Sequence, residues 1–386
     1  MNELAVLIHG GGPTAVWNAS LAALALEARK LTGFPHLMAA RGGFRGLWTD
    51  EWLDLSAQSE NVLREVALAP GSAIGSSRED LDYERTAARL RERCVRFVFL
   101  SGGNGTMMAA HRLQQACGGA MAVIGIPKTI DNDIPGLNWT PGYGSVARFF
   151  AHAARDAGED NRSLPSPVMV LETLGRDTGW VTASTALARY DDGDAPHLIY
   201  LPEKPVSLDR VCADVDRVLV RLGRCVIAVC EGMKDEKGEP FGAEIQRERD
   251  GGTRLASTLG HALARSIGER LAVRARSERP GLVGRSFAAL ASEADRELSW
   301  RCGQDAARAA GRGESGVMVT GDGTTVQLRE VAGNVRAFPQ AWISSSGCDV
   351  ADAFTEWLRP IAGNVPGHRR LGVQSRQAGQ EKRESG

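Results

Sequence analysis

A chain of 386 residues, 43% apolar and 24% charged, is a globular protein with enough material for two domains or three. Its formal net charge of −1 gives no bulk attraction for nucleic acid or an acidic membrane surface, so neither is an expected partner. Seven cysteines with no CxxC pair read as reduced core residues of a cytoplasmic protein, and no apolar run reaches membrane-spanning length.

Residues 4–8 are an apolar run, followed by Gly10-Gly11-Gly12-Pro13-Thr14 and a helical pattern over 18–31. This strand, glycine loop and helix unit recurs at 95–100, Gly102-Gly103-Asn104-Gly105-Thr106 and 107–116. It recurs again at 168–171, Leu174-Gly175-Arg176 and 180–189, and 225–230 is a further buried strand ending at Glu231. Helical periodicity covers 254–271 and 292–310, and short strands at 317–320 and 326–330 flank the turn Gly321-Asp322-Gly323. An amphipathic helix over 350–358 precedes a polar tail, 367–386, expected to be disordered. In a parallel α/β sheet the polar loops all fall beyond the carboxyl ends of strands, where ligands gather.

The densest chemistry follows the apolar run 120–126. Lys128, Thr129, Asp131, Asn132 and Asp133 lie within six residues. If this stretch stays extended, Thr129, Asp131 and Asp133 share one face and Asn132 takes the other. Adjacent carboxylates repel unless a cation or a proton-transfer task offsets the cost. The two glycine loops can let a phosphate approach backbone N–H groups, although neither is GxxxxGK[ST] or GxGxxG. Gly75-Ser76-Ser77-Arg78 and Arg176 supply guanidinium groups. Anion cradles, cations and a carboxylate base are together the parts that phosphoryl transfer requires.

Gly11-Gly12 with Asn18, Gly75-Ser76-Ser77-Arg78, Gly102 to Thr106, Pro127-Lys128-Thr129-Ile130-Asp131-Asn132-Asp133 and Leu174-Gly175-Arg176 resemble the phosphofructokinase family in order and spacing. The likeness runs to about Arg285 and more weakly to about Ala362, and the Pro127–Asp133 run is its most specific part. It implies an α/β protein of two Rossmann-like domains with the active site in the cleft between them. The implied donor domain is 1–141 with about 286–313, and the implied sugar-phosphate domain is 142–285 with about 314–362. Carried over by position, Asp131 is the base for the 1-hydroxyl of fructose 6-phosphate, and Thr129 binds the transferred group and the sugar. Gly11, Arg78, Gly103, Asn104, Gly105 and Thr106 hold the donor phosphates. Leu174, Gly175, Arg176, Glu231, Arg276 and Arg285 hold the sugar phosphate. Asp133, and weakly Asn104, attend a magnesium ion. A cytoplasmic homodimer or homotetramer carrying out a reversible glycolytic step is the implied setting.

Departures qualify the match. Asn104 stands where an Asp is usual, Leu282 where a sugar-phosphate histidine is expected, and Pro165-Ser166-Pro167 where a neighbour usually lends an arginine, the nearest being Arg162. Leu21 and Ala25 replace the basic residues of the bacterial effector site, so allosteric control by nucleotide is not expected. Lys128 resembles pyrophosphate-using members, whereas Gly105 leaves room for a nucleotide. The reading is a pyrophosphate donor, with ATP, another sugar phosphate or a non-catalytic regulatory subunit as alternatives. A dinucleotide-dependent dehydrogenase fails for want of GxGxxG.

Overall fold

A computed structural model describes residues 3–164, 167–238 and 259–371. Its strands are β1 (Leu4–Gly10), β2 (His36–Ala40), β3 (Trp52–Asp54), β4 (Val95–Gly102), β5 (Ala122–Pro127), β6 (Val168–Thr173), β7 (Leu198–Ile199), β8 (Cys225–Cys230), β9 (Ala275–Glu278), β10 (Val317–Val319) and β11 (Thr325–Gln327). They form two sheets, in the orders β11-β10-β5-β4-β1-β2-β3 and β7-β8-β6-β9. The first is parallel except at its edges, where β3 and β11 pair antiparallel; the second is parallel throughout. This is the mixed α/β architecture with two sheets that the sequence implies.

Parallel strands need helical crossovers, which bury both faces of a sheet. Helices Trp17–Ala28, Glu60–Leu68 and Glu293–Gly311 cover one face of the first sheet, and Tyr83–Glu92 and Asn104–Cys117 the other. On the second sheet, Tyr143–Ser163 and Asp352–Ala362 lie on one side, Leu208–Leu222 and Leu259–Leu271 on the other. That double cover is why β6 and β8 are unbroken buried runs rather than alternating ones. In the first sheet β4 and β2 flank β1 on opposite sides, so the chain winds away in two directions. The crevice this leaves beyond the carboxyl ends of β1 and β4 is the natural ligand position.

Several expectations are corrected. Residues 317–327, assigned above to the second domain, extend the first sheet, because β10 is apolar enough to pair with β5 through Val317 and Ile124. Asp352–Ala362 does pack on the second sheet's helices. The expected helix over 180–189 is one α-turn, Trp180–Ser184, continued by a 3-10 turn, Thr185–Ala188. The long helix Tyr143–Ser163 carries no local cap in its sequence. Its first N–H groups are met by the buried carboxylate of Asp295, which accepts from Gly142 N at 3.0 Å and Ser145 N at 2.9 Å. Residues 254–258 and 372–386, parts of an expected helix and tail, lie outside the described residues, as do Pro165 and Ser166. Arg370, inside the expected tail, is paired with Glu159, Asp191 and Asp194. Among the described residues no helix is long and apolar enough to cross a membrane.

Candidate active site

The carboxyl ends of β1 and β4 approach more closely than side chains would allow. A methyl group on Gly102 would lie 2.4 Å from Gly10 O and 2.2 Å from Thr106 Oγ1, so both glycines are required by the packing of Thr106 between the strands. Gly103 is the residue before the helix Asn104–Cys117, which leaves the first N–H groups of that helix facing the crevice. Gly11, in the left-handed region at φ +86°, donates its N–H to Ser77 O at 3.0 Å and accepts from Ser76 Oγ at 2.8 Å. Asn18 pins the intervening loop by donating to Ala69 O and accepting from Ala73 N. Two backbone cradles and Arg78 thus sit side by side.

Lys128 to Asp133 is not a straight strand. Asn132 adopts φ +53°, which Asn tolerates better than most residues, and its buried Oδ1 accepts from Thr140 N at 2.9 Å. The outcome for the side chains is still the expected one, since Thr129, Asp131 and Asp133 line one cavity and Asn132 does not. A solvated turn is excluded by burial, with Lys128 3% and Thr129 8% exposed. Burial drives Lys128 down to about 7; Arg78 and Arg285 push the same way, against Asp131 and Asp133. Burial, then the neighbouring Asp133, raises Asp131 to about 6. Asp133 is also raised, chiefly by burial. The Lys128 ammonium donates to Gly12 O at 2.5 Å.

The second sheet closes the site. Gly175, at φ +119°, turns the chain after β6, and a methyl group on Gly232 would overlap Arg176 O at 1.3 Å, so the loops after β6 and β8 interlock. Thr178 Oγ1 donates to Asp131 O at 3.2 Å, tying this loop to the Lys128–Asp133 turn. Arg176 lies 3.9 Å from Glu231, and Arg279 pairs with Glu231 at 3.4 Å and Glu172 at 3.0 Å. Arg285 ends a 3-10 turn, Gly281–Arg285, and reaches the glycine loop after β1: a methyl group on Gly12 would lie 3.2 Å from its Nη1 and 3.3 Å from Arg78 Nη2.

These groups line a cavity of about 580 Å³. It gathers Gly11, Arg78, Gly103, Asn104, Gly105, Thr106, Lys128, Thr129, Asp131, Asp133, Leu174, Gly175, Arg176, Glu231 and Arg285. Arg276 is the exception: on β9 it pairs in register with Met169 and does not line the cavity of its own chain. Leu282 is 64% exposed, also off the cavity, and Arg162 is engaged with Glu159 and Asp194 elsewhere. Sequence reasoning missed Glu79, Asp80, Phe44 and Tyr83 on the cavity wall, and the stacking of His9 on Trp17 behind Lys128. No local pattern marks them.

Among the described residues no three His, Cys, Asp or Glu side chains converge to cage a metal ion. Asn104 Oδ1 and Asp133 Oδ1 are nevertheless buried acceptors without a hydrogen-bond partner, and Asn104 Nδ2 donates to Asp133 O at 3.1 Å. A hard cation completed by substrate phosphate oxygens fits that donor set.

Comparison with known proteins agrees with this geometry. The family model described as Phosphofructokinase matches residues 4–310. The chain is 35% identical to a pyrophosphate–fructose 6-phosphate 1-phosphotransferase of Rhodospirillum rubrum, covering 93% of this chain and 94% of that one. It is 29% identical to a sulfofructose kinase of Alkalicoccus urumqiensis, covering 92% and 94%. The crystal structure of a pyrophosphate-dependent phosphofructokinase from Nitrosospira multiformis superposes with a TM-score of 0.84 at 28% identity, over 96% of this chain and 94% of that one.

Proposed function

The chain belongs to the phosphofructokinase family, and on that premise we propose that it transfers a phosphoryl group from pyrophosphate to the 1-hydroxyl of fructose 6-phosphate, as a reversible glycolytic step. The observation that carries this reading is the meeting of buried Lys128 and half-buried Asp131 on one cavity wall, between two backbone cradles and the guanidinium groups of Arg78, Arg176 and Arg285. Gly11, Arg78 and the loop Gly103 to Thr106 hold the donor. Lys128 offers its remaining N–H groups to the phosphate that leaves. Asp131 takes the proton of the 1-hydroxyl as the sugar oxygen bonds to phosphorus and the bond to the leaving phosphate breaks. A carboxylate raised to about 6 is a better base than an ordinary one. Thr129 steadies the group in transit, and Leu174, Gly175, Arg176, Glu231 and Arg285 hold the acceptor.

Asn104 and Asp133 would hold magnesium with the donor's phosphate oxygens, where the ion would neutralise phosphate charge. Arg276 would serve the acceptor only from a second copy of the chain. The exposed strip Leu282, Val283 and Phe287 beside Arg285 supports a homodimer or homotetramer. A cytoplasmic setting is supported by seven free cysteines, six of them buried.

The test is turnover with magnesium and fructose 6-phosphate, giving each donor separately. Pyrophosphate is expected to exceed ATP by roughly tenfold or more in kcat/KM; turnover with ATP alone would reassign the donor. One observation favours a second reading of the acceptor. Leu282, where the family's histidine is expected, lies off the cavity, so a panel of ketose phosphates and a 6-sulfonate analogue belongs in the same assay.

A further inference from the structure

Trp17 opens the helix Trp17–Ala28, directly after the glycine loop, and is fully buried. Its indole is held from several directions. His9 stacks on it with ring centroids 4.0 Å apart and planes 8° from parallel. Trp17 Nε1 donates to Ser101 Oγ at 2.7 Å. Lys128 Nζ lies over the same indole, 3.9 Å from the ring centroid. His9 is itself fixed, with Nδ1 2.8 Å from Ser72 Oγ. The Ser72 hydroxyl donates to Gly75 O at 2.9 Å, so the ring proton sits on Nδ1.

The surroundings of Lys128 explain why such a platform matters. Arg78 and Arg285 repel its ammonium, the buried His9 faces it from β1, and Asp131 and Asp133 attract it from its own segment. Among the described residues Nζ forms no ion pair with a carboxylate; its close partners are Gly12 O and the face of Trp17. An indole face stabilises a desolvated cation without using any of its N–H groups, which stay available for an incoming anion. A methyl group on Gly11 would lie 3.9 Å from Nζ, so the ammonium sits against the donor loop.

We propose that Trp17 is a positioning residue whose indole face keeps the Lys128 ammonium charged and aimed at the donor's phosphates, so that altering Trp17 impairs use of the donor and spares the acceptor. The inference rests on the donor reading given above, and the experiment separates the two. The chain contains only six lysines, so competitive acetylation of the full-length protein, read by mass spectrometry, follows Lys128 individually across neutral and alkaline pH. Donor and acceptor kinetics are measured on the same preparations.

In Trp17→Leu the titration midpoint of Lys128 is expected to move about one unit toward acid. Its kcat/KM for pyrophosphate is expected to fall roughly tenfold, with the KM for fructose 6-phosphate held within about twofold. Trp17→Phe, which restores an aromatic face, recovers most of both losses. Ser101→Ala, which keeps the indole but frees its edge, gives a smaller shift in the same direction. An unmoved Lys128 midpoint in Trp17→Leu, or an acceptor KM that rises as far as the donor KM, overturns the proposal. Should Trp17→Leu not fold, Ser101→Ala decides it, and parental labelling and donor kinetics in that variant overturn it. A labelling shift in a protein that transfers only from ATP supports the coupling of Trp17 to Lys128 and overturns the donor assigned above.

Discussion

The aromatic cluster around Trp180 and the cavity wall around Lys128 each centre on a buried side chain but handle their polar groups in opposite ways. In the cluster, Trp180 packs against Tyr143, Phe338, Trp342, Phe354 and Trp357, and the polar edges of Tyr143, Trp180 and Trp357 have partners. Tyr143 donates to Trp180 O, Trp180 Nε1 to Arg336 O and Trp357 Nε1 to Asn138 Oδ1. On the cavity wall Lys128 and Asp131 are driven toward their neutral forms, and Asn104 Oδ1 and Asp133 Oδ1 accept no hydrogen bond. Burial with satisfied polar ends stabilises the fold. Burial of incompletely partnered charge costs stability and leaves valences that only a ligand can fill.

The contrast can be broken by mutation. The largest expected effect is from Asp131→Ala, with turnover falling by about 10²–10⁴-fold, because the proposed general base is lost. Its unfolding midpoint should match or exceed the parent's; parental turnover would remove Asp131 from its role. Trp180→Ala should do the reverse, costing about 3–5 kcal/mol in denaturant unfolding as a large buried ring is deleted. Activity per folded molecule should survive, and a loss below about 1 kcal/mol would mean the cluster is not what secures the second sheet. Lys128→Met should stabilise the unliganded protein by roughly 0.5–2 kcal/mol while impairing donor use. The sign follows from linkage. The folded lysine titrates at about 7 against an ordinary 10.5, so the unfolded chain binds more protons between those values. The penalty is full below the folded value and fades as pH rises, so the stability gap between variant and parent should narrow over that window. A constant gap would show that Lys128 carries no buried charge.

What was legible in the chain was local. Strand, glycine loop and helix units announce themselves through neighbours in sequence, and Pro127 to Asp133 concentrates its chemistry in one run. The glycines at 10 and 102 were visible, but the reason for them, Thr106 wedged between two strand ends, is tertiary. The cap on Tyr143–Ser163 comes from Asp295, far along the chain, so the helix had no readable start. The turn at Asn132 replaces the assumed extended run and still presents Asp131 and Asp133 to one cavity. Arg276 was carried over by position, yet the register of β9 keeps it off its own cavity. Trp17 follows the first glycine loop, but nothing in its neighbourhood says that Lys128, more than a hundred residues on, would come to rest on its ring.

The central claim is that the cavity holds an under-partnered ammonium that a donor anion completes. Calorimetric titration of pyrophosphate in buffers of different ionisation enthalpy measures the protons taken up on binding. Slightly above neutral pH the parent should take up more protons than Lys128→Met, because the arriving anion restores the charge on Lys128. Equal proton uptake by the two proteins, with pyrophosphate bound by both, would contradict it.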